Sequence, residues 1–164
     1  MIRRILIAAL FLIAPPVLGA ELIRHSVMSD GHPLTVWEKS PKQPRAQLLL
    51  LHGRTWSSLP DFDLQVAGEN LSFMDGLVAM GYRVYALDAR GYGATPRDSS
   101  GWLTPDRAAR DAHHVLQWIS KNDSLPLHLY GWSYGSMVGH LVMQRHPSAA
   151  RSMILFAYPW QDDA

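Results

Sequence analysis

Gly131-Trp132-Ser133-Tyr134-Gly135 is the segment whose residue types and spacing could do chemistry. A serine hydroxyl flanked by glycines at this spacing suits a nucleophile held on a sharp turn. The glycines let neighbouring backbone approach where a side chain would clash. An apolar run, Leu125 to Tyr130, leads in, and a helix-like stretch, Ser136 to Arg145, leads out. Strand before and helix after are the context in which such a serine stands clear of a sheet with its hydroxyl exposed.

The elements that must position this turn can be read outward from it. Leu22 to Val27 and Leu34 to Lys39 read as strands joined at Ser29-Asp30-Gly31, a hairpin. Ala46 to Leu51 is continuously apolar, as a central strand buried on both faces would be. Ala67 to Met80 carries Leu71, Met74, Leu77 and Val78 at helical spacing and stops at Gly81. Arg83 to Asp88 is the next strand. Thr104 followed by Pro105 opens a helix whose apolar face holds Ala108, Ala112, Val115, Leu116 and Ile119. Ser152 to Ala157 is a last strand. Strands alternating with helices imply a mostly parallel, doubly wound α/β sheet with an N-terminal β-hairpin. Sites in such sheets lie at the carboxyl ends of strands. The loops starting at His52-Gly53-Arg54, at Asp88-Ala89-Arg90 and at Gly131 all follow strands, so they are expected along one edge.

Those three loops, in this order, resemble the α/β-hydrolase family over roughly residues 25–160. Leu50-Leu51-His52-Gly53 is similar to its H-G segment, Asp88 to Gly93 to its D-x-R-G-x-G segment, and Gly131 to Gly135 to its nucleophile elbow. The resemblance implies cleavage of an ester, amide or related bond through an acyl-serine. Ser133 would be the nucleophile, and the backbone N–H groups of Tyr134 and Arg54 the oxyanion donors. His52, Gly53, Gly131 and Gly135 would be structural, His52 holding the oxyanion loop by hydrogen bonds. The family's acid and histidine usually follow later strands. Of the eight histidines, six precede Ser133, while His140 and His146 sit on its own helix, so none stands where the family keeps its base. The chain therefore reads as a catalytic domain incomplete at the C-terminus. Asp162 is the candidate acid; two solvated aspartates at a chain end, Asp162 and Asp163, are the plainer reading. The other class of reading is a non-catalytic hydrolase-like binding module or a decayed gene product.

Composition narrows the remainder. The 164 residues are 48% apolar and 18% charged, with six tryptophans and a formal net charge of +1. That suits one domain with a core and carries no basic stripe for nucleic acid. Without cysteine, disulfides and a thiol nucleophile are excluded. No histidine spacing suggests a metal site and no motif suggests a cofactor. Asp88 and Arg90 read as a turn-stabilising ion pair or cap. Arg3-Arg4, the apolar run Ile5 to Ala14, Pro15-Pro16 and Gly19-Ala20 read as a signal peptide over 1–20, giving a periplasmic or secreted protein with its core domain over 21–164. The apolar run is short of the roughly 20 residues of a membrane span, so no stable span is expected once the leader is removed. The partners expected are a small ester or amide substrate, with association or aggregation through an exposed last strand.

Overall fold

The computed structural model describes residues 20–159. The proposed signal peptide (to residue 19) and Asp162 lie outside the described residues. The elements in chain order are β1 (Ile23–Ser29), β2 (His32–Lys39), β3 (Ala46–Leu51), α1 (Ser58–Phe62), α2 (Phe73–Ala79), β4 (Tyr82–Asp88), α3 (Pro105–Asn122), β5 (Leu127–Trp132), α4 (Tyr134–Arg145) and β6 (Ser152–Phe156).

The six strands form one sheet in the order β1-β2-β4-β3-β5-β6. β1 and β2 are the expected antiparallel hairpin. Asp30 and Gly31 both take positive φ, 47° and 73°, as a tight two-residue hairpin turn requires. β2 also runs antiparallel to β4, while β3, β4, β5 and β6 run parallel.

β3 is buried at every residue and sits mid-sheet. Its alternate side chains serve two cores. Leu49 and Leu51 pack with Val115 and Leu116 of α3 and Val138 and Val142 of α4. Leu48 and Leu50 pack with Phe62 of α1 and Met74 and Leu77 of α2. Helices thus cover both faces, and the sheet's polar loops gather at the carboxyl ends of its parallel strands.

Three boundaries differ from the sequence expectation. The helix expected from Ala67 starts at Phe73, because the Ser72 hydroxyl accepts the Asp75 N–H and caps it there. Leu71 therefore lies outside the helix and is exposed. α1 was not foreseen: at five residues it has no periodicity to read. β5 extends through Gly131 to Trp132, and α4 begins at Tyr134 rather than Ser136, which compresses the turn to Ser133 alone. Thr104 does cap α3, accepting from the Arg107 N–H at 3.3 Å.

Candidate active site

Ser133 is the single residue between β5 and α4, at φ 51° and ψ −115°. That conformation is costly for a residue with a Cβ and persists only when its surroundings enforce it. Here the Ser133 N–H donates to the Phe156 carbonyl at 2.9 Å, and its own carbonyl accepts from the Ser136 N–H at 2.9 Å. Its side chain makes no capping bond to the helix it precedes. Ser133 is half-buried, and among the described residues its hydroxyl makes no hydrogen bond; it stands at the N-terminal end of α4, where the first N–H groups lack helical acceptors.

The two glycines of the turn are explained by contact. A Cβ on Gly131 would lie 2.5 Å from the Gly135 carbonyl oxygen and the Ser136 Cα. A Cβ on Gly135 would run into the carbonyls of Leu51 and His52. The turn after β5 is thus pressed, backbone on backbone, against the end of β3. Gly53 faces the Trp132 ring, which a Cβ would meet at 3.0 Å.

His52 joins two of the three loops. Its Nδ1 donates to the Gly53 carbonyl at 2.7 Å, and its Nε2 accepts the Ala89 N–H at 3.1 Å. Both ring nitrogens are occupied, which fixes the neutral tautomer protonated on Nδ1. Burial lowers its pKa further below the ordinary histidine value. An imidazole so engaged is built to hold loops rather than to collect a proton from Ser133. Arg54 follows at the open end of this loop, exposed, with its guanidinium 5.4 Å above the Tyr134 ring.

Of the two expectations for Asp88 and Arg90, ion pair or cap, the ion pair is corrected and the cap holds for Asp88: the two do not pair with each other. Asp88 is buried and caps α1: its Oδ1 accepts from the Ser58 N–H at 2.8 Å, and its Oδ2 from the Trp37 indole and the Ala94 N–H at 2.9 Å each. Arg90 instead reaches α3, donating through Nε and Nη2 to the two carboxylate oxygens of Asp111, each at 2.7 Å. Both residues fix the loop after β4.

One site-edge residue escaped the sequence reading. Asp61 of α1 accepts the Gly53 N–H through Oδ2 at 3.3 Å, and burial lifts its carboxyl to about 6. A lone aspartate in a five-residue helix offers no pattern that would have revealed it. Its folded-state pKa lies above the ordinary 3.8, so the native state holds this proton more tightly than the unfolded chain. Stability is therefore expected to fall as pH rises from about 4 to about 6. Asp61→Asn keeps an acceptor for Gly53 and removes the charge. It should be more stable than wild type at pH 7 by about 1 kcal/mol, after discount for solvent screening, and equal to it near pH 3. Urea unfolding at both pH values checks this, and an advantage that is independent of pH would contradict it.

Of the other aromatic residues near the motifs, Phe62 is core, Trp56 and Trp132 approach at 6.5 Å, and Trp102 is exposed on the loop before α3. Among the described residues no imidazole hydrogen-bonds Ser133. His140 on α4 pairs with the Tyr158 hydroxyl at 2.9 Å, and His146 stacks on His113 at 3.7 Å.

Comparison with known proteins bears on this geometry. The family model described as serine aminopeptidase, S33, matches residues 42–160. No curated protein matches the sequence significantly. Among solved structures, a CIB-like hydrolase from Thermoplasma acidophilum superposes with a TM-score of 0.67 at 19% identity, over 87% of this chain and 65% of that one. An epoxide hydrolase from Vigna radiata gives 0.67 at 22% identity, over 86% of this chain and 40% of that one. The thioesterase domain of the curacin biosynthetic pathway gives 0.66 at 20% identity, over 88% and 49%. At these identities the likeness is one of fold. The chain spans 40% to 65% of the length of these structures.

Proposed function

Since the chain belongs to the serine aminopeptidase (S33) family of hydrolases and has the α/β-hydrolase fold, we propose that it carries the nucleophile half of a serine hydrolase acting on an ester, amide or related bond. The observation that carries the reading is Ser133 itself: a non-glycine residue at φ 51°, alone between β5 and α4, with its hydroxyl committed to no capping bond. In this reading the Ser133 Oγ attacks the substrate carbonyl carbon and its proton passes to a base. The oxyanion is met by the N–H groups of Tyr134 and Arg54, the carbonyl re-forms as the leaving group departs, and water then releases the acyl group from Oγ. Each oxyanion donor is worth about 3 kcal/mol of transition-state stabilisation in comparable sites.

The base is proposed to come from outside the segment described here. Both nitrogens of His52 are spent on the loops, and the chain spans only part of the length of its structural neighbours. The lack of an imidazole on Ser133 among the described residues also favours a second reading, a hydrolase-like binding module without turnover. Hydrolysis of p-nitrophenyl butyrate separates them. The 164 residues alone should exceed the uncatalysed rate by no more than about 10³, the residue left by oxyanion binding without a working nucleophile. A longer protein that carries this segment with an Asp and a His should turn over at about 10 s⁻¹. Turnover at that rate by the 164 residues would place the base among the histidines described here; a longer protein with no turnover would favour the binding module.

A further inference from the structure

A cavity of about 200 Å³ lies between the loops after β3 and β4, and its lining includes Arg54, Tyr92, Arg97, Trp102 and Leu103. It is continuous in chain and in contact with the oxyanion loop: Arg54 directly follows Gly53, and its guanidinium sits on the ring of Tyr134, the residue after Ser133. The charge around this cavity is unbalanced. Arg90 and Asp98 also line it, but they neutralise one another's neighbourhood: Arg90 is bound to Asp111 and Asp98, and Asp98 is further bound to Arg107 at 2.7 Å. Hydrogen bonds from Ser100, and then the charges of Arg107 and Arg90, lower the Asp98 carboxyl to about 2.

Arg54 and Arg97 are the remainder. Among the described residues neither guanidinium has a carboxylate partner, although acidic groups are placed on Lys39, Arg83, Arg90, Arg107, Arg110 and Arg145. Trp102, 67% exposed, lines the same cavity and offers it a large apolar surface. Two uncompensated planar donors and an open indole around one cavity form a receptor for an anionic group on an apolar stem.

We propose that this cavity is a substrate subsite for a carboxylate or phosphate carried by the molecule whose ester or amide bond Ser133 attacks. The subsite rests on the hydrolase reading for its purpose, but its binding does not depend on the serine. A guanidinium pair discriminates anion from neutral isostere through charge-assisted bonds and through the local field, so affinity should fall as salt rises.

The test uses the Ser133→Ala chain, so that turnover plays no part. Phenylacetate, phenyl phosphate and the neutral phenylacetamide are titrated by calorimetry at low and physiological salt. Both anions, or one of them, should bind at least about tenfold more tightly than the amide. Which of the two is tighter separates a carboxylate from a phosphate substrate. Arg97→Met and Arg54→Met should each weaken the preferred anion by about tenfold while leaving the amide unchanged; Arg97 is exposed, so its loss leaves the fold intact. Equal affinity for anion and amide, no measurable binding of either anion, or anion binding that survives the double substitution would overturn the subsite and leave the role of Ser133 standing.

Discussion

On the proposed reading, replacing Ser133 by alanine is expected to abolish labelling by a fluorophosphonate and to lower ester turnover, in a longer protein that carries this segment, by about 10⁴-fold or more. The reason is that the members of such a site act as a unit. A base without a nucleophile activates nothing useful, while the proposed oxyanion donors on Tyr134 and Arg54 remain in place. What survives is the contribution of those donors and of substrate binding, about 10³ over water. Folding should be untouched, because the Ser133 side chain makes no capping bond and its backbone bonds to Phe156 and Ser136 need no hydroxyl. Circular dichroism and the labelling experiment on the same preparation separate loss of chemistry from loss of structure. Labelling that persists in Ser133→Ala would assign the reactive serine elsewhere.

The second large effect is on stability. Arg90→Met should cost about 3–5 kcal/mol of unfolding free energy. Arg90 is 8% exposed, and Asp111 on α3 is 2% exposed. Their two parallel bonds of 2.7 Å are joined by a third, from Nη2 to the Ser29 carbonyl at 3.0 Å, and the Ser29 hydroxyl donates to Asp111 at 2.5 Å. Removing the guanidinium strands a buried carboxylate and an acceptor at the hairpin turn, and that uncompensated charge is the main cost rather than the pair's own net worth. A double variant, Arg90→Met with Asp111→Leu, should therefore recover a large part of the loss. Urea unfolding of the single and double variants measures it. A single variant that loses under 1 kcal/mol would mean that water reaches Asp111 freely.

The parts of this molecule that were legible in advance are those where one stretch of chain carries its own explanation. β3 announced itself because a strand buried on both faces is apolar at every position. α3 did so through Thr104 and Pro105, and the elbow through Gly131 and Gly135. What stayed hidden depends on partners distant in sequence. Nothing near Arg90 says that its carboxylate is Asp111, 21 residues on. Nothing near Asp88 says that it caps α1, 30 residues before it. Asp61 owes its raised pKa to burial, which outweighs its bond from the Gly53 N–H and which no local pattern encodes. Helical spacing from Ala67 misled for a related reason: the hydroxyl of Ser72 decides where that helix starts, and periodicity does not see caps.

The contact of Gly135 with the carbonyls of Leu51 and His52 has a consequence for motion. Because the turn after β5 rests on the end of β3, and His52 in turn holds the loop after β4, none of the three loops can open while the others stay closed. Ser133 and the loop after β3 then form one cooperative unit. In native-state hydrogen exchange the amides of Gly53, Ala89 and Ser136 would share a single opening free energy, higher than that of the exposed segment before α3, so that the site is either wholly assembled or wholly undone.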